Sequence, residues 1–134
     1  MRSTRIVTSF IKNNNKILIL KRSNKVRSMK GLWSGISGMI ENGEIPIERA
    51  KIEIFEEVGI EEDKIVLIKK LEKIKISSPQ YENHEWEVFS YLFETAKTKI
   101  KLNWENSDFR WINHDELKKY ETVPSLDKLL VNLL

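Results

Sequence analysis

One stretch, Gly38 to Ile60 (GMIENGEIPIERAKIEIFEEVGI), constrains this chain more than any other. It joins a glycine-punctuated turn to a segment whose apolar residues recur with helical spacing, while many of the runs around it alternate as strands do. Wound as a helix from Pro46 to Val58 at about 100° per residue, Ile47, Ala50, Ile54 and Val58 fall on one stripe that can pack on a core. Glu53, Glu56 and Glu57 are spaced i, i+3 and i+4 and are expected on the opposite side, with their side chains converging. Like charges that close repel, so folding gains nothing from the arrangement. A hard divalent cation, Mg²⁺ or else Mn²⁺, favours carboxylate oxygen and would relieve the repulsion. The competing reading is a helix with a solvated acidic face.

The whole segment tips the balance towards a metal site, because it resembles the signature of the Nudix hydrolase family. That signature is Gly, five residues, Glu, seven residues, then Arg-Glu-U-x-Glu-Glu-x-Gly-U, with U a bulky aliphatic. Gly38, Glu44, Glu53, Ile54, Glu56, Glu57, Gly59 and Ile60 all fall in register, eight of the nine fixed positions. The resemblance implies an α/β fold, a Nudix-like α/β/α sandwich with a mixed β-sheet, in which the signature forms strand, loop and helix. It also implies that Glu56, Glu57 and usually Glu53 ligate metal, while Glu44 supports the loop and helix.

One fixed position departs from the pattern. Ile52 stands where the family has an arginine that pairs with and orients a catalytic carboxylate. Isoleucine can neither donate a hydrogen bond nor balance charge. Arg49 lies about one turn earlier, i, i+4 to Glu53, where an ion pair is within reach. It either replaces the missing group in part or is a solvated surface arginine.

The family often carries a further carboxylate outside the signature, ahead of a strand ending in an aromatic. Glu105 precedes Asp108-Phe109-Arg110-Trp111 and is the first choice. That makes Glu53, Glu56, Glu57 and Glu105 the expected catalytic and metal-binding set, with the base open between Glu53 and a residue outside the signature. Glu85 and Glu87 are weaker candidates, since alternate residues of a strand can simply face solvent. His84 and His114 sit beside polar loop residues and read as surface histidines.

For the substrate, Lys21–Arg27 is a basic run, either a solvated loop or an attractor of polyphosphate through Arg22 and Arg27. Gly38 and its neighbouring glycines would let backbone approach phosphate closely. Trp33, Tyr81 and Trp86 could stack a base or could be structural. Trp111 is expected to pack inward, and Trp104 is open either way. No motif for ADP-ribose, dinucleoside polyphosphate, coenzyme A or mRNA-cap substrates stands out. The expected activity is Mg²⁺-dependent hydrolysis of a phosphoanhydride in a nucleoside diphosphate linked to another moiety. The alternative is a non-catalytic nucleotide-binding domain that acts as a sensor or partner module.

The remaining sequence sets bounds. The 134 residues read as a single domain, 1–134, large enough for a core of its own. No cysteine is present, which excludes disulfides, thiolate metal sites and cysteine nucleophiles. A net charge of +3, with basic and acidic residues interspersed, does not suggest a nucleic-acid partner. The expected partner is a small nucleotide or nucleotide-sugar-like molecule, and a homodimer is compatible with the sequence. The N-terminal MRSTRIVTSFIKNNN lacks a signal-peptide core and no run is long enough to span a bilayer, so a cytoplasmic location without membrane contact is expected.

Strands are expected over Thr4–Ile11 and Lys16–Lys21 with a hairpin turn at Asn13–Asn15, and a short strand over Leu32–Met39. Two longer strands follow over Lys64–Ser77 and Trp86–Glu94, separated by the polar loop Ser77–Asn83, with another strand at Phe109–Ile112. His114–Lys119 and Ser125–Leu134 read as helices.

Overall fold

A computed structural model describes residues 2–77 and 83–134, with Arg2 described through its backbone alone. Tyr81 and most of the polar loop around it lie outside the described residues. The strands are β1 (Arg2–Asn13), β2 (Lys16–Arg22), β3 (Trp33–Ser34), β4 (Ile36–Met39), β5 (Ile65–Lys70), β6 (Ile74–Ser77), β7 (His84–Thr95) and β8 (Asn106–Ile112). Helix α1 (Pro46–Val58) lies between β4 and β5, and α2 (Leu126–Leu133) closes the chain. Short 3₁₀ turns occupy Glu62–Lys64 and His114–Lys119.

All the described strands join one sheet in the order β3-β2-β1-β7-β5, with β4 on β1, β6 on β7 and β8 on β2. The long β1–β7 pair is parallel and the others are antiparallel, so the sheet is mixed. Strand alternation divides the core between its two faces. Leu18 and Leu20 of β2, with Tyr91 and Phe93 of β7, pack on α1 through Ala50, Ile54 and Val58. Ile17 and Ile19, with Leu92, face the other way onto Leu126, Leu130 and Leu133 of α2. The result is the α/β/α sandwich that the sequence led us to expect.

Helix α1 begins without a side-chain cap; Pro46 sits in its first turn, where a missing N–H costs nothing. It stops at Gly59, whose φ of 77° is left-handed and whose N–H donates to the Phe55 carbonyl at 3.0 Å. Ile54 and Val58 are fully buried, each contributing about 1.5–3 kcal/mol of burial free energy to holding the helix on the sheet.

Two expectations need correction. Lys64–Ser77 is not one strand: the ladder to β7 shifts register between Leu67 and Lys69 and ends after Lys70. Leu71 then turns its side chain towards the α2-side core, and its N–H donates to the Ser90 carbonyl at 3.1 Å before β6 resumes. The apolar demand of Leu71 breaks an alternation that local sequence would have continued. The last sheet strand starts at Asn106 rather than Phe109, which sets Glu105 at its very edge.

Candidate metal and diphosphate site

The sheet-facing flank of α1 carries the site. Glu53 and Glu57 are spaced i, i+4 and are 8% and 3% exposed, so they border the core stripe instead of lying opposite it as expected. Glu56 is exposed on the outer side. Glu105 reaches the same place from the turn before β8. Glu53, Glu57 and Glu105 each present an oxygen, all within 4.8 Å of one another. Among the described residues the cluster therefore joins three of the four expected carboxylates, and Glu56 stays at its margin.

Each carboxylate is held differently. Gly38 on β4 lies against Glu53 so closely that a Cβ there would fall on the carboxyl group. Here glycine makes room for the Glu53 carboxyl, which any Cβ would push aside. Arg49 donates through Nη1 to Glu53 Oε2 at 3.0 Å and through Nε to Glu44 Oε1 at 2.9 Å, with Nη2 on the second Glu44 oxygen. Glu44 also accepts from the Glu41 N–H at 2.7 Å, closing the turn ahead of α1. Arg49 is thus the joint between the loop and Glu53. Ile52, by contrast, is exposed at 41%.

Glu57 is the most buried of the three. Its Oε1 accepts from Asn106 Nδ2 at 3.1 Å, and its Oε2 is buried with no protein partner. Burial, with the Glu105 charge second, pushes its carboxyl up to about 9. Burial also raises Glu53, despite the opposing hydrogen bond from Arg49. Glu44 moves the other way, held below the usual carboxylate range by its hydrogen bond from Arg49. A crowded acidic cluster with an unpaired buried oxygen suits a hard cation: it supplies oxygen donors, and Arg49 balances only part of its charge.

The basic run is tethered to the same place. Arg22 ends β2, and its charge partly offsets the rise at Glu57. Ser23, 8% exposed, donates its N–H to the Glu105 carbonyl and its hydroxyl to the Trp104 carbonyl, both at 2.8 Å. Arg27 is exposed on the loop that follows. Trp33 is placed elsewhere: it is 9% exposed and packs edge-to-face on Tyr120 at 5.1 Å in the α2-side core. Trp111 is half-buried, its indole N–H donating to the Thr98 carbonyl at 3.3 Å. Sequence reasoning missed Asn106 and Ser23. The one available signal was that each adjoins a residue already singled out, Glu105 and Arg22 respectively.

Residues 2–133 match the family profile described as the NUDIX domain. The chain belongs to the Nudix family. Solved structures give the same architecture. A MutT protein from Methanosarcina mazei superimposes with a TM-score of 0.76 at 21% identity, covering 98% of this chain and 92% of that one. The C. elegans Ap4A hydrolase, in a binary complex, gives 0.73 at 16% identity over 98% and 93%. The NUDIX domain of Shewanella oneidensis NrtR, crystallised with ADP ribose, gives 0.76 at 14% identity over 98% and 86%. At these identities the likeness speaks to the fold. Among the described residues no helix is long and apolar enough to cross a membrane.

The raised carboxyls link pH to stability and to cation binding. Folded Glu57 titrates near 9 against an ordinary value of 4.5, so the folded chain holds an extra proton between the two. Its stabilising contribution is complete below the ordinary value and is lost as pH rises towards 9. Glu44 has the opposite sign, but its contribution fades only as pH falls below the ordinary carboxylate range. Between pH 5 and 9 the melting temperature of the metal-free protein should therefore fall. A divalent cation held by Glu57 would have to displace that proton, so the affinity of such a site for Mg²⁺ should tighten by up to about tenfold per pH unit over this window. Thermal melts with and without Mg²⁺ across the range test this; a pH-independent Mg²⁺ effect would contradict it.

Proposed function

We propose that this protein is a Mg²⁺-dependent pyrophosphohydrolase that cleaves a phosphoanhydride in a nucleoside diphosphate linked to another moiety. The observation that carries this reading is the inward Glu57 oxygen, buried without a partner beside Glu53 and Glu105. Glu53, Glu57 and Glu105 would hold the cation, with Glu56 at the solvent edge and Mn²⁺ as the substitute ion. Such a cation, when bound, supplies charge neutralisation for a diphosphate and acidifies water at neutral pH.

The chain's own residues do the positioning. Asn106 holds one Glu57 oxygen and leaves the other buried without a protein partner. Arg49 fixes Glu53 against Gly38 and ties it to Glu44, and in this reading takes over what the family arginine does at the position occupied by Ile52. Arg22, whose charge acts on Glu57, and Arg27, exposed on the loop that follows, would attract a polyphosphate. Hydrolysis of a phosphoanhydride requires little covalent chemistry from the protein, so positioning and charge neutralisation account for most of it. The base that directs water is Glu53 or Glu105. A cytoplasmic setting and a small nucleotide-like substrate belong to the same reading.

Ile52 favours a second reading, a nucleotide-binding domain without turnover. The S. oneidensis NrtR domain, crystallised with ADP ribose, shows that this fold can hold a nucleoside diphosphate sugar. A phosphate-release screen across nucleoside triphosphates, nucleoside diphosphate sugars and dinucleoside polyphosphates, with Mg²⁺ or Mn²⁺, separates the two. Turnover that vanishes in Glu57→Gln supports the hydrolase. Nucleotide binding with no turnover on any substrate supports the binding domain.

A further inference from the structure

Trp104 is 60% exposed, and its place in the fold sets it apart from the chain's other tryptophans. Trp33 is buried on Tyr120, Trp86 has its ring 4.3 Å from that of His84, and Trp111 is half-buried with its indole N–H bonded. A single exposed aromatic needs no explanation by itself. Here, however, the backbone around it is clamped. Ser23 holds the Trp104 carbonyl and the Glu105 carbonyl, both at 2.8 Å, while Asn103 Oδ1 accepts the Glu105 N–H at 3.1 Å. A rigid turn thus holds a large apolar ring in water, next in sequence to one of the clustered carboxylates. The same Ser23 hydroxyl accepts the Lys25 N–H at 3.2 Å, so one buried serine joins the aromatic turn to the basic loop.

One clamped stretch of backbone therefore links three chemistries: carboxylates for a cation, a basic loop for phosphate, and an exposed indole. A nucleotide carries the complement of all three, and stacking a flat base on an aromatic ring forfeits less entropy when the backbone that carries the ring is already held. We propose that the Trp104 indole is the stacking surface for the nucleobase of the substrate. This rests on the nucleotide-hydrolase reading for its substrate class, but binding alone can test it.

The experiment compares Trp104→Ala and Trp104→Phe with the wild-type protein. On the nucleotide substrate found by the screen, Trp104→Ala should raise KM by about tenfold or more with kcat changed less than about twofold, and Trp104→Phe should stay close to wild type. Turnover of tripolyphosphate, which has no base, should not respond to either change. In parallel, ADP should quench the intrinsic fluorescence of the wild-type protein, pyrophosphate should not, and Trp104→Phe should abolish the ADP quench. An unchanged KM in Trp104→Ala, or a quench that survives in Trp104→Phe, overturns the proposal. If the wild-type protein turns over no nucleotide, the hydrolase reading falls and the titration decides alone. A quench lost in Trp104→Phe then upholds the base site, and no quench in the wild type refutes it.

Discussion

Glu57→Gln is expected to lower turnover by about a thousandfold or more, the loss of several kcal/mol of charge stabilisation delivered through a cation ligand, while the protein stays folded. Glu57 is 3% exposed, bonded to Asn106 through one oxygen and to no protein group through the other. Without metal, burial pushes its carboxyl up to about 9, so near pH 7 the side chain is already neutral. Glutamine is also neutral and of nearly the same shape, and its carbonyl can keep the Asn106 hydrogen bond. The metal-free melting temperature should therefore match wild type near pH 4.5, where Glu57 is protonated in both states, and exceed it by a growing margin as pH rises through 7 towards 9. The rise in melting temperature caused by Mg²⁺ should shrink or vanish. Turnover within tenfold of wild type, or an undiminished Mg²⁺ shift, would remove Glu57 from the site.

The second large effect is expected from Arg49→Ala. Its guanidinium bridges Glu44 and Glu53, and the three side chains are 14%, 23% and 11% exposed. Removing the cation leaves Glu44 and Glu53 without their shared partner, which is expected to lower the melting temperature by a few degrees. Glu53 would also lose its orienting partner, which should lower kcat by about 10–100-fold. Arg49→Lys keeps the charge but not the fork that spans both acids, and should fall between alanine and wild type. If stability falls while turnover and Mg²⁺ affinity are untouched, Arg49 is a structural strut and does not replace the arginine missing at Ile52.

Much of this was legible in the chain. The 3.6-residue period from Ile47 to Val58, with Pro46 before it and Gly59 after, marks α1 to the residue, because local propensity and capping agree there. The Glu105 assignment placed a carboxylate within 4.8 Å of Glu53 and Glu57 from a separation of about fifty residues. Other features were not legible. At about 100° per residue Glu53 and Glu57 fall beside the Ala50 edge of the stripe and only Glu56 lies opposite, but that this edge meets the sheet was decided by β4, with Gly38 against Glu53. Trp33 sits next to the signature in sequence, yet its neighbours Tyr120 and Arg110 come from the far end of the chain. In the break between β5 and β6, Leu71 packs on the α2-side core, a contact that local alternation does not reveal.

By itself, then, the sequence determined helix α1, the family and which acids were candidates, because spacing and side-chain chemistry are local properties. Tertiary structure alone decided how those acids are used. It buried Glu57 with one oxygen unpaired, left Glu56 in solvent, stretched Arg49 between two carboxylates and held Trp104 in water beside Glu105. Desolvation and partner geometry set these outcomes, and both depend on what the rest of the fold brings alongside.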